Sequence, residues 1–310
     1  MSKNIKGNLF LLIAAFFWGS TFVAQELAAQ YYHLGSFTYQ STRMFVGALV
    51  LVPMIFIMTH QAKKKGTYKK PTKKDNKTLI IAGVICGTIL CVAACLQQFA
   101  IEDPNTNSGK IAFITAMYIL IVPIIYFFFG NKIRLRVIVA ALMGAIGLYF
   151  LSVKADSFSI SHGDFLGMLC ALGFSAHILV IDYFGPKVDG VKLSAIQFFV
   201  CGVEALIPTI LIEKPAITDI LSCWGPILYA GVFSCGIAYT FQILGQQNTN
   251  PTIASIIMSL ESVFSVLTGL VILGYSLSAR EVIGCVVIFT AIIISQLPGF
   301  KKRKTPQKNA

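Results

Sequence analysis

Lys154-Ala155-Asp156-Ser157-Phe158-Ser159-Ile160-Ser161-His162-Gly163 is a short polar stretch in an otherwise apolar chain, and it divides that chain evenly. Five apolar runs precede it and five follow. Each is read as long enough to cross a bilayer, since a helix rising about 1.5 Å per residue needs about 20 residues for a hydrocarbon core roughly 30 Å thick. The runs cover residues 7–27, 35–58, 78–101, 107–129, 133–152, 162–184, 191–212, 221–246, 251–273 and 280–297. An odd number of crossings leaves the chain on the face opposite its start, so a second unit of the same design must sit upside down. The expected fold is therefore an all-α integral membrane protein whose ten transmembrane helices form two inverted five-helix repeats. The repeats span residues 6–153 and 162–297, and a basic tail follows at 298–310. Inverted repeats are a common build of secondary transporters, in which a solute pathway runs between the halves near the bilayer midplane.

Composition excludes a soluble protein. With 56% apolar residues, 12% charged residues and a mean hydropathy of +0.75, the chain would expose an untenable apolar surface in water. The net charge of +12 raises the prospect of nucleic acid, but the placement of the cations argues against it. With the N-terminus inside, twenty of the 25 Lys and Arg residues fall on one face: Lys3 and Lys6, eight lysines from Lys63 to Lys77, Lys132 with Arg134 and Arg136, Lys187 with Lys192, and five in the tail. Only Lys154, Lys214 and Arg280 fall in outer loops. The positive-inside rule then puts both termini in the cytoplasm of a multi-pass cytoplasmic-membrane protein. The expected partners are the lipid bilayer and a small-molecule substrate, with no nucleic acid; oligomeric state is left open. The lysine-rich loop serves as a topological anchor, with anionic-lipid binding as the alternative.

The eight cysteines lie in or beside apolar spans, where cysteine acts as a small hydrophobe. Cys91 and Cys95 share a helical face, but no histidine or carboxylate nearby in sequence completes a metal site, so no metal or other cofactor is expected. Lys3 and Lys6 ahead of an apolar run, with Ala28 and Ala29 behind it, have the look of a signal peptide. Cleavage would leave nine spans and break the pairing of the halves, so the first run is read as a retained helix.

The halves can be registered on each other. An offset of 144 places Gly130 on Gly274, Arg136 on Arg280, Val122 on Val266 and Gln98 on Gln242. The first two spans of each half align nearer 156, with Gly7 on Gly163 and Gln40 and Pro53 close to Gln197 and Pro208. The difference matches the longer basic loop after the second span, as one ancestral unit with an insertion in one copy would give.

Ionisable groups deep in a span cost several kcal/mol and so face a cavity or a partner. Glu261, about 16 Å into the ninth span by helical rise, is the leading candidate: it suits an ammonium group or a coupling proton, against a purely structural hydrogen bond. Glu204 is similarly deep in the seventh span. Arg43 in the second span is placed to pair with Glu261, Glu204 or a substrate carboxylate, whereas Lys110, near an end of the fourth, is expected to snorkel. Asp182 and Glu26 lie near span ends, where head groups hydrate them. His177 is a titratable candidate or a satisfied core residue. Gln98 and Gln242, matched across the halves, read as paired cavity residues or as interhelical glue. Trp18, Tyr39, Tyr118 and Tyr239 either line an amphipathic pocket or pack. Pro53, Pro123 and Pro208 must loosen their helices, because each lacks an amide donor.

Several of these segments resemble the EamA-type members of the drug/metabolite transporter superfamily. They are Trp18-Gly19-Ser20-Thr21-Phe22-Val23-Ala24, Arg43-Met44-Phe45-Val46-Gly47-Ala48, Ala112-Phe113-Ile114-Thr115 through Pro123 to Gly130, and Ser259-Leu260-Glu261-Ser262-Val263-Phe264 through Leu273-Gly274. The resemblance implies a metabolite or amino-acid exporter working by alternating access, with a multidrug or cation exporter of the same superfamily as the alternative. Two positions depart from the pattern. Ser262 stands where a proline often follows the ninth-span glutamate, and Asn131 and Tyr275 stand where a glutamate often follows the helix-ending glycine.

An intramembrane enzyme is a weaker reading, because His33, His60, His162 and His177 are scattered over different segments and no acidic pair accompanies them. A receptor would lack an extramembrane domain to carry its signal. The topology is testable: a reporter active only outside the cytoplasm, fused after Ala310, is expected to be silent, and activity there would invert the orientation.

Overall fold

The computed structural model describes residues 3–152, 161–272, 274 and 278–297; most of the polar stretch, Lys154, Tyr275 and the 298–310 tail fall outside these. Among the described residues the regular structure is entirely helical. In hydrocarbon a peptide group finds no water, so a chain this apolar satisfies its backbone within helices. The principal helices are α1 (Ile5–Tyr31), α2 (Ser36–Lys64), α3 (Lys73–Glu102), α4 (Ser108–Phe128), α5 (Leu135–Ser152), α6 (His162–Lys187), α7 (Gly190–Glu213), α8 (Trp224–Gln246), α9 (Pro251–Ile272) and α10 (Ala279–Gln296). A short helix, Ile217–Ser222, precedes α8.

Among the described residues, eight of these helices are long and apolar enough, by length and composition, to cross a membrane, against the ten runs of bilayer length expected. The exceptions are α5 and α10, whose apolar portions are Leu135–Phe150 and Val282–Ser295. By helical rise those portions measure roughly 21–24 Å, short of a full hydrocarbon core.

The packing repeats between the two sets of five. α1 lies against α8 and α9, and its counterpart α6 lies against α3 and α4; α2 packs on α8 as α7 packs on α3; α2 meets α7, and α5 meets α10. The correspondence extends to single residues. Gly7 sits against Gly245 O, Asn248 and Thr249, while Gly163 sits against Ala100 O, Asp103 and Thr106. Gly87 packs on Gln197 O and Val200, and Gly231 on Arg43 O and Val46, so the register of α2 on α7 in this contact is 154, close to the expected 156. Asn107 and Asn250 cap α4 and α9 by accepting from Lys110 N at 2.8 Å and Thr252 N at 3.0 Å. Gly130 and Gly274 follow the same two helices with φ of 79° and 70°, a conformation that glycine adopts without a Cβ penalty.

Both helices are also interrupted at matching depth. Met117 in α4 and Ser259 in α9 have ψ of −10° and −12°, flatter than α-helical, and each makes a tightened turn. The turn in α9 forms without a proline after Glu261; Ser262 Oγ instead donates to Ala112 O of α4 at 2.9 Å. Backbones approach closely wherever glycine permits: a Cβ on Gly231 would lie 2.4 Å from Val46 Cγ1 and one on Gly47 would lie 2.4 Å from Cys235 Cβ. Such small-residue contacts are how helices associate where lipid removes most of the hydrophobic drive.

Gly231→Val is therefore expected to destabilise the α2–α8 contact by about 1–3 kcal/mol through overpacking. Gly225→Ala, where a Cβ meets nothing within 4 Å, should be near neutral. Thermal unfolding in detergent compares the two, and equal melting temperatures would contradict this packing.

Candidate functional site: a charged cavity between the helix sets

One face of α1 carries Trp18, Thr21, Phe22 and Gln25, at the i, i+3, i+4, i+7 spacing of a helical stripe. All four line a small internal cavity of about 30 Å³ that also receives side chains from α2, α3, α4, α6, α8 and α9. The two helix interruptions bracket it. Tyr118 follows the turn in α4, and Met258 and Glu261 flank the turn in α9. In α8, residues 230–239 are wound as a π-helix, so Ser234 and Tyr239, five apart, face the same cavity where α-helical spacing would separate them.

Glu261 is buried, and its Oε1 accepts from Tyr118 Oη at 2.9 Å. Arg43 is buried too; its Nε and Nη2 donate to Gln40 Oε1 at 2.8 and 2.5 Å, and its guanidinium lies 5.2 Å from the centre of the Tyr39 ring. Both side chains line the cavity, yet no ion pair joins them. The expectation that Arg43 pairs with a carboxylate of the protein is thus corrected: the neutral Gln40 and an aromatic face hold it. The reason is local, since Gln40 lies three residues earlier on the same helical face.

The polar end of the cavity is built from amides. Gln25 Nε2 donates to Gln97 Oε1 at 3.0 Å and to Gln98 Oε1 at 3.2 Å, and Gln97 Nε2 donates to Thr115 Oγ1 at 3.3 Å. Aromatic groups form the remaining wall, with Trp18 edge-on to Tyr239 at 4.8 Å between ring centres. Trp18 Nε1 and Gln242 Oε1 are buried without a hydrogen-bond partner in the protein, leaving one donor and one acceptor uncommitted beside the cavity.

Six of the expected residues therefore meet around one cavity: Trp18, Arg43, Tyr118, Tyr239, Gln242 and Glu261. Three do not. Glu204 is only half-buried and accepts from Thr88 Oγ1 at 2.6 Å, on the exposed side of the α3–α7 contact. His177 is fully buried behind Tyr239, with ring centres 6.0 Å apart, and its Nε2 lies 3.2 Å from Gln197 Oε1. Gln98 points past the cavity, donating to Gln25 O at 3.2 Å, while its neighbour Gln97 takes the lining position. Depth along a span does not fix direction around it, which explains all three misplacements. Gln25 was missed although it shares the helical stripe of Trp18.

Lys110, Glu26 and Asp103, near span ends, have structural roles. Lys110 does not snorkel but pairs with Asp164 at 2.7 Å. Glu26 Oε2 accepts from Ser108 N at 3.1 Å at the start of α4. Asp103, between α3 and α4, accepts from Gly163 N at 2.6 Å and Asn105 N at 2.8 Å, and these amides hold its carboxyl below the usual range. Among the described residues no group of three or more His, Cys, Asp or Glu is placed to hold a metal, and no disulfide joins the cysteines.

An apolar helical bundle around a small charged cavity defines the class of membrane transport proteins better than any other. Comparison with known proteins fixes it further: the chain belongs to the EamA-like transporter family, whose model matches residues 5–153 and again residues 161–297. It is 27% identical over 301 residues to an uncharacterized transporter of Archaeoglobus fulgidus, covering 95% of this chain and 87% of that one. It is 24% identical over 316 residues to the uncharacterized inner membrane transporter YicL of Salmonella typhimurium, covering 98% and 99%. A solved crystal structure superimposes with a TM-score of 0.73 over 94% of this chain and 96% of the other; at 17% identity it supports the fold alone. The protein is a multi-pass membrane transporter and not an enzyme.

Tyr118→Phe removes the hydrogen bond to Glu261 and leaves a buried carboxyl oxygen without a donor, which is expected to cost about 1–3 kcal/mol. Thermal unfolding of the purified variant measures this, and an unchanged melting temperature would place the Glu261 carboxyl elsewhere.

Proposed function

We propose that this transporter carries a small zwitterion, an amino acid or a close relative, outward across the cytoplasmic membrane by alternating access. The observation that carries the substrate class is the unpaired pair: a guanidinium and a carboxylate line one cavity without neutralising each other. Arg43 suits a substrate carboxylate, bound through planar, charge-assisted hydrogen bonds, and Glu261 with the Trp18 and Tyr239 rings suits an ammonium group. A hydrophobic cation satisfies only half of this arrangement, since it leaves Arg43 without an anion. That disfavours the multidrug reading.

Alternating access follows from the repeat. We read the ten helices as crossing the membrane, α5 and α10 included, in two inverted units with both termini cytoplasmic. The matched contacts of Gly7 with Gly163 and Gly87 with Gly231, and the matched interruptions at Met117 and Ser259, support two units of one design. Discontinuous helices beside a midplane site are a recurring device in such transporters. The cavity, about 30 Å³, has room for about one water and must widen to accept a solute. Glu261 is also the group to which we assign a coupling proton, because a carboxyl is the one group in the cavity able to give up or take a proton with modest change in environment.

Reconstituted Glu261→Gln is expected to lose at least about tenfold in transport, equivalent to about 1.4 kcal/mol or more, while retaining the melting profile of a folded protein. Full transport that still responds to a pH gradient would remove Glu261 from the mechanism. A counterflow panel of amino acids, amines and carboxylic acids is expected to show exchange with the first class alone.

A further inference from the structure

A second, larger cavity of about 380 Å³ lies at one end of the bundle, away from the site just described. The first helix set supplies Lys132, Arg134 and Arg136 to its wall, and the second supplies Asn248, Thr249 and Asn250; Asn8 at the start of α1 completes it. Three cations thus converge with no carboxylate in the lining. The side chains there are partly committed to one another: Thr249 Oγ1 donates to Asn8 Oδ1 at 3.2 Å, and Asn250 Nδ2 donates to Tyr126 Oη at 3.3 Å.

Arg136 is different. Its Nε and Nη1 are buried and have no hydrogen-bond partner. Leaving charged donors dry and unpaired is costly, and a bound anion removes that cost. Its counterpart in the second half, Arg280, stacks on Tyr149 with the guanidinium 5.1 Å from the ring centre. Among the described residues no ring offers Arg136 such a platform, and it lines the basic cavity instead. The N-terminus of α5, eighteen residues long, begins at the same wall, so its dipole adds to the positive potential.

We propose that this cavity is a binding site for an anionic phosphate group, gripped by Arg136 and Arg134 with Lys132 at the rim and bridging the two helix sets at that end of the protein. Guanidinium groups match phosphate oxygens in pairs, which favours this anion over a simple halide. The volume falls in the range of small-ligand pockets and accommodates a phosphate with the start of an attached chain. Two sources supply such a group, a phospholipid head group and a soluble phosphate, and they share this chemistry. An occupant would tie the α4–α5 loop to the α8–α9 loop and so resist separation of the two sets at that end.

The test uses the full chain, purified and delipidated in neutral detergent, with intrinsic tryptophan fluorescence reporting thermal unfolding. Phosphatidylglycerol in mixed micelles and inorganic phosphate are titrated separately, with phosphatidylcholine as the net-neutral reference. At least one of the two anionic probes is expected to raise the melting temperature by several degrees above the reference, as preferential binding to the folded state requires. An effect of the lipid alone assigns the site to a head group, and an effect of inorganic phosphate assigns it to a soluble group. The combined variant Lys132→Gln, Arg134→Gln, Arg136→Gln should weaken the response at least about tenfold in midpoint concentration. The variant Lys69→Gln, Lys70→Gln, Lys73→Gln, with the same charge removed from the exposed loop, should leave it intact. No response to either probe, or equal loss in both variants, would overturn the proposal. Should the combined variant fail to fold, Lys132→Gln alone, at an exposed position, is expected to weaken the response by about threefold or more, and an unchanged midpoint would be equally fatal.

Discussion

Inside hydrocarbon, a peptide group has no water to bond and a charge has no water to solvate it, and the structure of this protein is a response to both constraints. The first makes the regular structure helical throughout the described residues. The second makes Arg43 and Glu261, buried at 2% and 5% exposure, the two costliest side chains to place. Each is given partial relief by neutral neighbours, Gln40 and Tyr39 in one case and Tyr118 in the other, and both are turned to a common cavity. The helices that wall the cavity are the ones that bend the rules of regular winding, with flattened turns in α4 and α9 and a π-helical stretch in α8.

The two helix sets repeat their contacts but not their chemistry. Gly231 packs on Arg43 O as Gly87 packs on Gln197 O, so the second half places a neutral glutamine where the first places a guanidinium. At the α9 turn, next to Glu261, the first half has Met117 and Tyr118. A shared design for the two halves accounts for the frame, and divergence of a few positions gives the cavity a guanidinium on one side and a carboxyl on the other. Identical ionisable groups introduced symmetrically would bring like charges together; a guanidinium and a carboxyl, drawn from different halves, make a site with direction. That asymmetry is what the zwitterion proposed above would require.

Much of the frame was legible in the residues. Hydropathy placed the spans, and the offset of 144 that aligned Gly130 with Gly274 reappears as two glycines in the same left-handed conformation at the ends of matching helices. α5 and α10 are the two helices whose apolar portions, Leu135–Phe150 and Val282–Ser295, are shorter than the runs read from hydropathy. The site was legible in depth and obscure in direction. Glu261, Arg43 and Trp18 stood out as groups that lipid does not tolerate or that favour amphipathic walls. Glu204 is as deep but turns toward Thr88, and no single-sequence signal reports that rotation. Ser234 joins the cavity only because the π-helical stretch resets the register before Tyr239, a shift invisible to any 3.6-residue pattern. Gln25 was within reach, since its spacing from Trp18 and Thr21 marks the same stripe.

The central claim is that Arg43 and Glu261 hold opposite ends of one substrate. Binding calorimetry on the purified protein tests it with three related ligands: an amino acid identified by counterflow, its amide, which lacks the carboxylate, and its deaminated acid, which lacks the ammonium. The native protein should prefer the amino acid to either analogue by at least about tenfold. Arg43→Gln should erase the preference over the amide and keep that over the acid, and Glu261→Gln should do the reverse. If both variants lose both preferences equally, or if neither preference exists in the native protein, the two charges do not divide a zwitterion between them and the account of the cavity is wrong.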